Sequence, residues 1–294
     1  MDHRHRWSVE DFVFDDGRPL MRQRCGCGAR RSVPAWDRSW TPPPPWRLVG
    51  AAGAALAGRL MRSSHAEERP MIDAVKVDVW SDLACPWCYI GKRNLEAGIA
   101  RFASANGNPP VEVEYHSFEL APDTPIDFDG SEVDYLMQIK GIDRGAATAM
   151  LERVTRIAAD AGLAYDMPSV KHTRTVKAHQ LVHYAKERGK QAEAKERLLR
   201  AYFMEGRHIG RDEELADLAG ELGLDREDVL RSLAADEHLQ AVRDDQQQAL
   251  AYGIHGVPFF VLDRRYGLSG AQPPESFAAA LEQVAEERTA AGRS

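Results

Sequence analysis

Two cysteines stand two residues apart in the stretch Ser81-Asp82-Leu83-Ala84-Cys85-Pro86-Trp87-Cys88-Tyr89. At that spacing a pair of thiols can cycle between dithiol and disulfide, supply half of a zinc site, or pack inertly. Zinc takes about four ligands, and the chain has no second C-x-x-C; its other cysteines, Cys25 and Cys27, are distant. In a redox pair one thiolate attacks a disulfide and the second thiol resolves the mixed disulfide that forms. Inert packing explains none of the change of pattern around the pair. Cys25-Gly26-Cys27-Gly28 reads as a reduced pair in a loop.

The flanking elements favour redox chemistry. Val75, Val77 and Val79 alternate with Lys76, Asp78 and Trp80, which predicts a half-buried strand over 73–82. Ile90, Leu95, Ile99 and Phe102 then recur at helical spacing, predicting a helix over 86–105. Pro86 suits its first turn, where the missing N–H has no partner to lose. Cys85 thus falls at a helix N-terminus, where the helix dipole favours an anion, and the thiolate is the reactive form of cysteine. Strand, C-x-x-C and helix in that order are the thioredoxin-type redox signature.

Gly107-Asn108-Pro109-Pro110 ends the helix, and Val111, Val113 and Tyr115 predict a second strand to about Phe118. This β-α-β unit implies parallel strands and a right-handed crossover. Helical stripes follow: Met150, Val154, Ile157 and Ala161; Val176, Gln180, His183 and Tyr184; Leu198, Leu199, Tyr202 and Phe203; Leu215, Leu218, Ala219 and Leu222, with Asp225 capping the next helix. His179 and His183 are four residues apart, a spacing that can chelate zinc. No acid completes such a motif, so packing and surface roles are expected for them and for His172. Phe259–Leu262 and Tyr266–Ser269 flank Asp263-Arg264-Arg265 as a hairpin, and a helix runs from Pro274 to about Glu287. The two ends therefore supply β-α-β and β-β-α, and the middle a helical block.

The chain carries a net charge of −7, unevenly placed. Residues 1–70 hold twelve arginines, no lysine and eight acids, so the remaining body is strongly acidic. That argues against nucleic acid as a partner. Four cysteines in 294 residues do not make a secreted disulfide framework. Residues 1–70 also hold four of the six tryptophans and Pro42-Pro43-Pro44-Pro45, with no sustained period. They read as a disordered leader, or as a segment preceding a true start at Met71. The apolar run Leu48–Gly58 is about half the length that spans a bilayer, so no membrane association is expected. Some 46 residues precede that run, which is wrong for a signal peptide. A cytoplasmic location is therefore favoured over export.

Cys85-Pro86-Trp87-Cys88, Asp78–Asp82, Tyr89–Arg93, Ala178-His179, Ala201–Phe203, Gly256-Val257-Pro258 and Ser269–Gln272 together resemble the DsbA family of thiol–disulfide oxidoreductases, in its frenolicin-cluster branch. The resemblance covers roughly residues 74–286. It implies an α/β thioredoxin-like fold with an inserted all-helical domain: 71–118 and 249–294 form the thioredoxin-like part and 119–248 the insertion. It implies Cys85 as nucleophile, Cys88 as resolving thiol, and a cis Pro258 packed against the pair. Val257, Pro86 and Trp87 would then meet substrate, with the Val257 backbone pairing with an extended chain by strand addition. Many relatives carry a buried acid six residues before the first cysteine, where this chain has Val79.

The expected activity is disulfide exchange with reduced or unfolded protein thiols or with small thiols. It needs no metal or organic cofactor; glutathione is an admissible thiol partner. Two alternatives stand beside it. One is a glutathione-dependent isomerase or kappa-type transferase on the same fold, such as 2-hydroxychromene-2-carboxylate isomerase, whose relatives put serine where Cys85 stands. The other is a metal- or partner-binding module built on the helical block. The oligomeric state is not legible in the sequence.

Overall fold

The computed structural model describes residues 74–104 and 108–291 in full, together with the backbone of four strands nearer the start of the chain. Those strands are β1 (Trp7–Asp15), β2 (Arg18–Cys25), β3 (Arg30–Pro34) and β4 (Trp36–Asp37). β1, β2 and β3 pair antiparallel in that order. They stand in the stretch whose sequence shows no sustained period; the register of β1 shifts between Val9 and Asp11, which breaks the alternation of a regular strand. Leu48–Gly58 lies outside the described residues.

The central sheet has the order β4-β8-β7-β5-β6. β5 (Val75–Ser81) lies parallel to β6 (Val111–Ser117) and antiparallel to β7 (Phe259–Leu262), and β7 pairs antiparallel with β8 (Tyr266–Ser269). One face is covered by α1 (Pro86–Ser104) and α9 (Pro274–Ala291). There Val75, Val77 and Val79 of β5 meet Leu95 and Phe102 of α1 and Phe277, Leu281 and Val284 of α9. α1 approaches α9 at Gly98, where a Cβ would stand 2.5 Å from the Phe277 Cβ. On the other face Trp80 packs with Ala249, Ile254 and Val261.

The helical insertion comprises α2 (Glu132–Lys140), α3 (Arg144–Asp160), α4 (Val176–Lys186), α5 (Gln191–Met204), α6 (Asp212–Glu221), α7 (Arg226–Ala234) and α8 (Leu239–Ala251). Asp225 caps α7 by accepting from the Asp228 N–H, as its position after Gly223 predicts. The stripe read on α3 is partly wrong. Met150 is 43% exposed, but Val154 is buried as read, Ile157 and Ala161 pack partly buried against the core, and Ala147 and Ala158 complete the buried line. That helix is covered along a narrow line only, so small residues face inward. His172, His179 and His183 are all buried, so the expected surface roles do not hold; packing does. Among the described residues no helix is long and apolar enough to cross a membrane.

Candidate active site

The chain leaves β5 through a turn fixed by Asp82. Its carboxylate accepts from the Leu83 N–H at 2.6 Å, the Thr175 hydroxyl at 2.8 Å and the Leu120 N–H at 2.7 Å, with His179 Nε2 at 3.3 Å. Burial opposes ionisation, but the His179 ring and these donors outweigh it and hold Asp82 below the usual carboxylate value. Three separate segments are thereby tied to the turn that delivers Cys85: the loop after β6, the residue before α4, and α4 itself.

Cys85 immediately precedes α1, Pro86 is its first residue, and the Cys88 N–H donates to the Cys85 carbonyl at 3.0 Å. Both cysteines are buried, 4% and 3% exposed, and neither is in a disulfide. Trp87 between them is 39% exposed and presents apolar surface. The Cys85 thiol donates to the Val257 carbonyl oxygen at 3.8 Å, and the Val257–Pro258 peptide bond is cis. Gly91 lets α1 press onto this loop: a Cβ there would lie 2.9 Å from Pro258 Cγ. Cys85, Cys88, Pro86, Trp87, Val257 and Pro258, singled out in the sequence, thus come from two ends of the chain to one place.

Sequence reasoning missed the groups behind them. The Tyr165 hydroxyl donates to the Pro86 carbonyl at 2.7 Å, and burial, then Cys85 and Cys88, push its own pKa far up. Lys195 of α5 is 2% exposed, with Nζ 3.3 Å from the Ser81 carbonyl oxygen. Burial pushes the Cys88 thiol up, reinforced by Cys85, while Lys195 and the Asp82 backbone N–H draw it back. Glu196 joins α5 to α1 by accepting from Tyr89 Oη and Lys92 Nζ, each at 2.6 Å, and from Arg93. Lys195 had a signal in the sequence. It stands in register with Leu198, Leu199 and Tyr202 on the buried stripe of α5.

A separate cluster, Asp78, Glu114 and His116, brings candidate ligand atoms within 4.8 Å of one another. His116 is already engaged there, by Asp78 at 3.1 Å and Asp245 at 2.9 Å.

Residues 76–282 match the family described as DSBA-like thioredoxin domain. The chain belongs to that family. A Streptomyces coelicolor chain described as a probable DsbA oxidoreductase is 41% identical, with a TM-score of 0.66 over 71% of this chain and 89% of its own. YwbO of Bacillus subtilis is 30% identical over 197 residues, 64% of this chain and 86% of its own length. The cytosolic disulfide reductase DsbM of Pseudomonas aeruginosa, in a structure with GSH, shares the fold at 22% identity and a TM-score of 0.50, over 71% of this chain and 98% of its own. The fold is the α/β thioredoxin fold with a helical insertion, and at the family level the chain is a thiol-dependent redox enzyme.

Proposed function

We propose that this DsbA-family chain exchanges disulfides with protein or small-thiol substrates through Cys85 and Cys88. The observation that carries the reading is the placement of two buried free thiols at the start of α1, one of them against the Val257 carbonyl. Cys85 attacks the substrate disulfide and releases one substrate thiolate. Cys88 then attacks Cys85 and releases the other, leaving the protein oxidised; the cycle also runs in reverse. The Val257 backbone beside Cys85 offers an extended substrate a strand-like contact, and exposed Trp87 offers an apolar one. Cys85 is itself the nucleophile this chemistry needs, which favours exchange over the isomerase alternative. Glutathione is the small thiol we would test first, and the cytoplasm the compartment in which we place the reaction. No metal or organic cofactor is needed.

The test is a pair of variants assayed for disulfide exchange. Cys85→Ser should abolish activity, and Cys88→Ser should accumulate mixed disulfides that a non-reducing gel resolves. Equal activity in both variants would end this reading. Equilibration with glutathione buffers then gives the direction: about −120 mV marks a donor of disulfides and about −270 mV a reductant.

A further inference from the structure

Six residues before Cys85 stands Val79, buried and uncharged. A buried charged group stands near the cysteines on the insertion side, Lys195. Lys195 reaches in from α5, and among the described residues its one hydrogen bond is the 3.3 Å contact to the Ser81 carbonyl at the end of β5. The neighbouring Ser81 Oγ is buried with no partner among the described residues. A buried ammonium so thinly solvated is costly unless an anion faces it.

The groups around Lys195 show which anion is available. Its Nζ sits at the end of β5, where the turn that delivers Cys85 begins; there the charges of Cys88, Asp82 and Cys85 favour the ammonium, and Lys92 of α1 opposes it. From β6 it meets the Tyr115 ring, 6.0 Å from Nζ. On α5 itself the adjacent Glu196 is taken up by Tyr89, Lys92 and Arg93. The Asp82 carboxylate is occupied by Leu83, Leu120, Thr175 and His179. Asp82 is thus a standing anion whose hydrogen bonds go elsewhere, and the further anion available to the ammonium is the one that the reaction itself creates. We propose that Lys195 is the buried cation that sustains Cys88 as a thiolate while Cys88 resolves the mixed disulfide on Cys85, an inference that rests on the exchange reaction proposed above.

In that step the Cys88 sulfur bonds to the Cys85 sulfur and the Cys85–substrate S–S bond breaks. The substrate sulfur leaves with the electron pair and takes up the proton that Cys88 gave up. Over the whole exchange the cysteine pair loses two electrons and the substrate disulfide gains two. Lys195 supplies charge and is not consumed. The two groups act on each other in the required sense. Burial brings Lys195 down to about 8, and Cys88 leads the charges that pull it back up, while Lys195 draws the Cys88 thiol down.

The experiment uses the full chain with Cys25→Ser and Cys27→Ser, so that only the active pair reacts; it loads Cys85 with thionitrobenzoate from Ellman's reagent and follows its release as Cys88 closes the disulfide, across pH. Lys195→Met should slow release at pH 7 by about tenfold or more and move the pH midpoint up by about one unit. Lys195→Arg, which keeps the charge, should restore most of the rate. Loading itself, followed in a Cys88→Ser background, should change less, because the charge of Lys195 is proposed to act on Cys88, which that background lacks. If Lys195→Met does not fold, Lys195→Gln is read the same way. Wild-type rates and midpoint in the uncharged variant overturn the inference, as does a Lys195→Arg protein no faster than Lys195→Met. Failure of the wild type to load or release thionitrobenzoate would instead sink the exchange reading beneath it.

Discussion

The Tyr165 hydroxyl ties the loop after α3 to the first turn of the active-site helix through a single hydrogen bond to the Pro86 carbonyl. Tyr165→Phe keeps the ring packed on Phe203 and Tyr89 and removes only that donor. A stability loss of about 1–2 kcal/mol is expected in denaturant unfolding, with slower disulfide exchange because α1 then starts less firmly. Such a residue could not be found from the sequence. Cys85, Pro86, Trp87 and Cys88 announce themselves because they are adjacent, and Gly256-Val257-Pro258 does so because a proline entering a strand is unusual. Tyr165, Thr175, His179 and Lys195 lie far along the chain from what they touch. Tyr165 and Thr175, taken singly, look like ordinary loop residues; His179 and Lys195 could be placed on helix faces, but not against the cysteine turn they touch. Asp82 was visible as an acid near the pair, but its partners were not.

Elements were more legible than their contacts, because strand alternation and helix period are local. β5, α1, β6 and the β7–β8 hairpin fall within a residue or two of their expected bounds. What sequence could not show is how closely they approach. Gly98→Ala would place a Cβ 2.5 Å from Phe277 Cβ and 2.8 Å from the Pro274 carbonyl. Although alanine favours helix by roughly 1 kcal/mol, the clash should dominate, for a net loss of about 1–3 kcal/mol measured by urea unfolding. The hairpin holds the opposite case. Asp263 and Arg264 both have positive φ, 52° and 55°, in a turn with no glycine or asparagine. Arg264 is exposed, so Arg264→Gly should relieve a left-handed backbone and raise stability by about 1 kcal/mol. A higher melting temperature would show it, and an unchanged or lower one would count against it.

At the scale of the molecule, charge buried between sheet and insertion sets a pH window. His116 of β6 lies between Asp245 of α8 and Asp78 of β5. Burial lowers its pKa, but the two carboxylates outweigh burial and raise it to about 9. Its contribution is therefore complete below the unfolded value of about 6.5 and fades as pH rises through about 9. Asp245 is opposed by burial yet held low by His116, His183 and the Ser117 N–H. Its share is present above about 3.9 and lost as pH falls through its depressed folded value. Thermal melts should be highest between about pH 4 and 6.5 and decline towards pH 10 by on the order of 2–3 kcal/mol, with His116→Gln flattening the alkaline limb. The division into a thioredoxin-like part and an insertion was legible, since only the middle of the chain carries unbroken helical stripes. Their shared interior was not: Leu83, Tyr89 and Ile90 beside the cysteines belong to the same apolar cluster as the insertion helices. The sheet topology also orders events during synthesis. β5 is hydrogen-bonded on one side to β6 and on the other to β7, and about 140 residues separate the end of β6 from β7. About 170 residues separate Cys88 from Val257, so at about 5–20 residues per second a ribosome leaves the finished cysteine pair waiting roughly 8–35 seconds before Val257 and its strand emerge. A nascent chain stalled ahead of Phe259 should expose both thiols to alkylation, so the newborn enzyme is itself a client for the thiol chemistry of its surroundings.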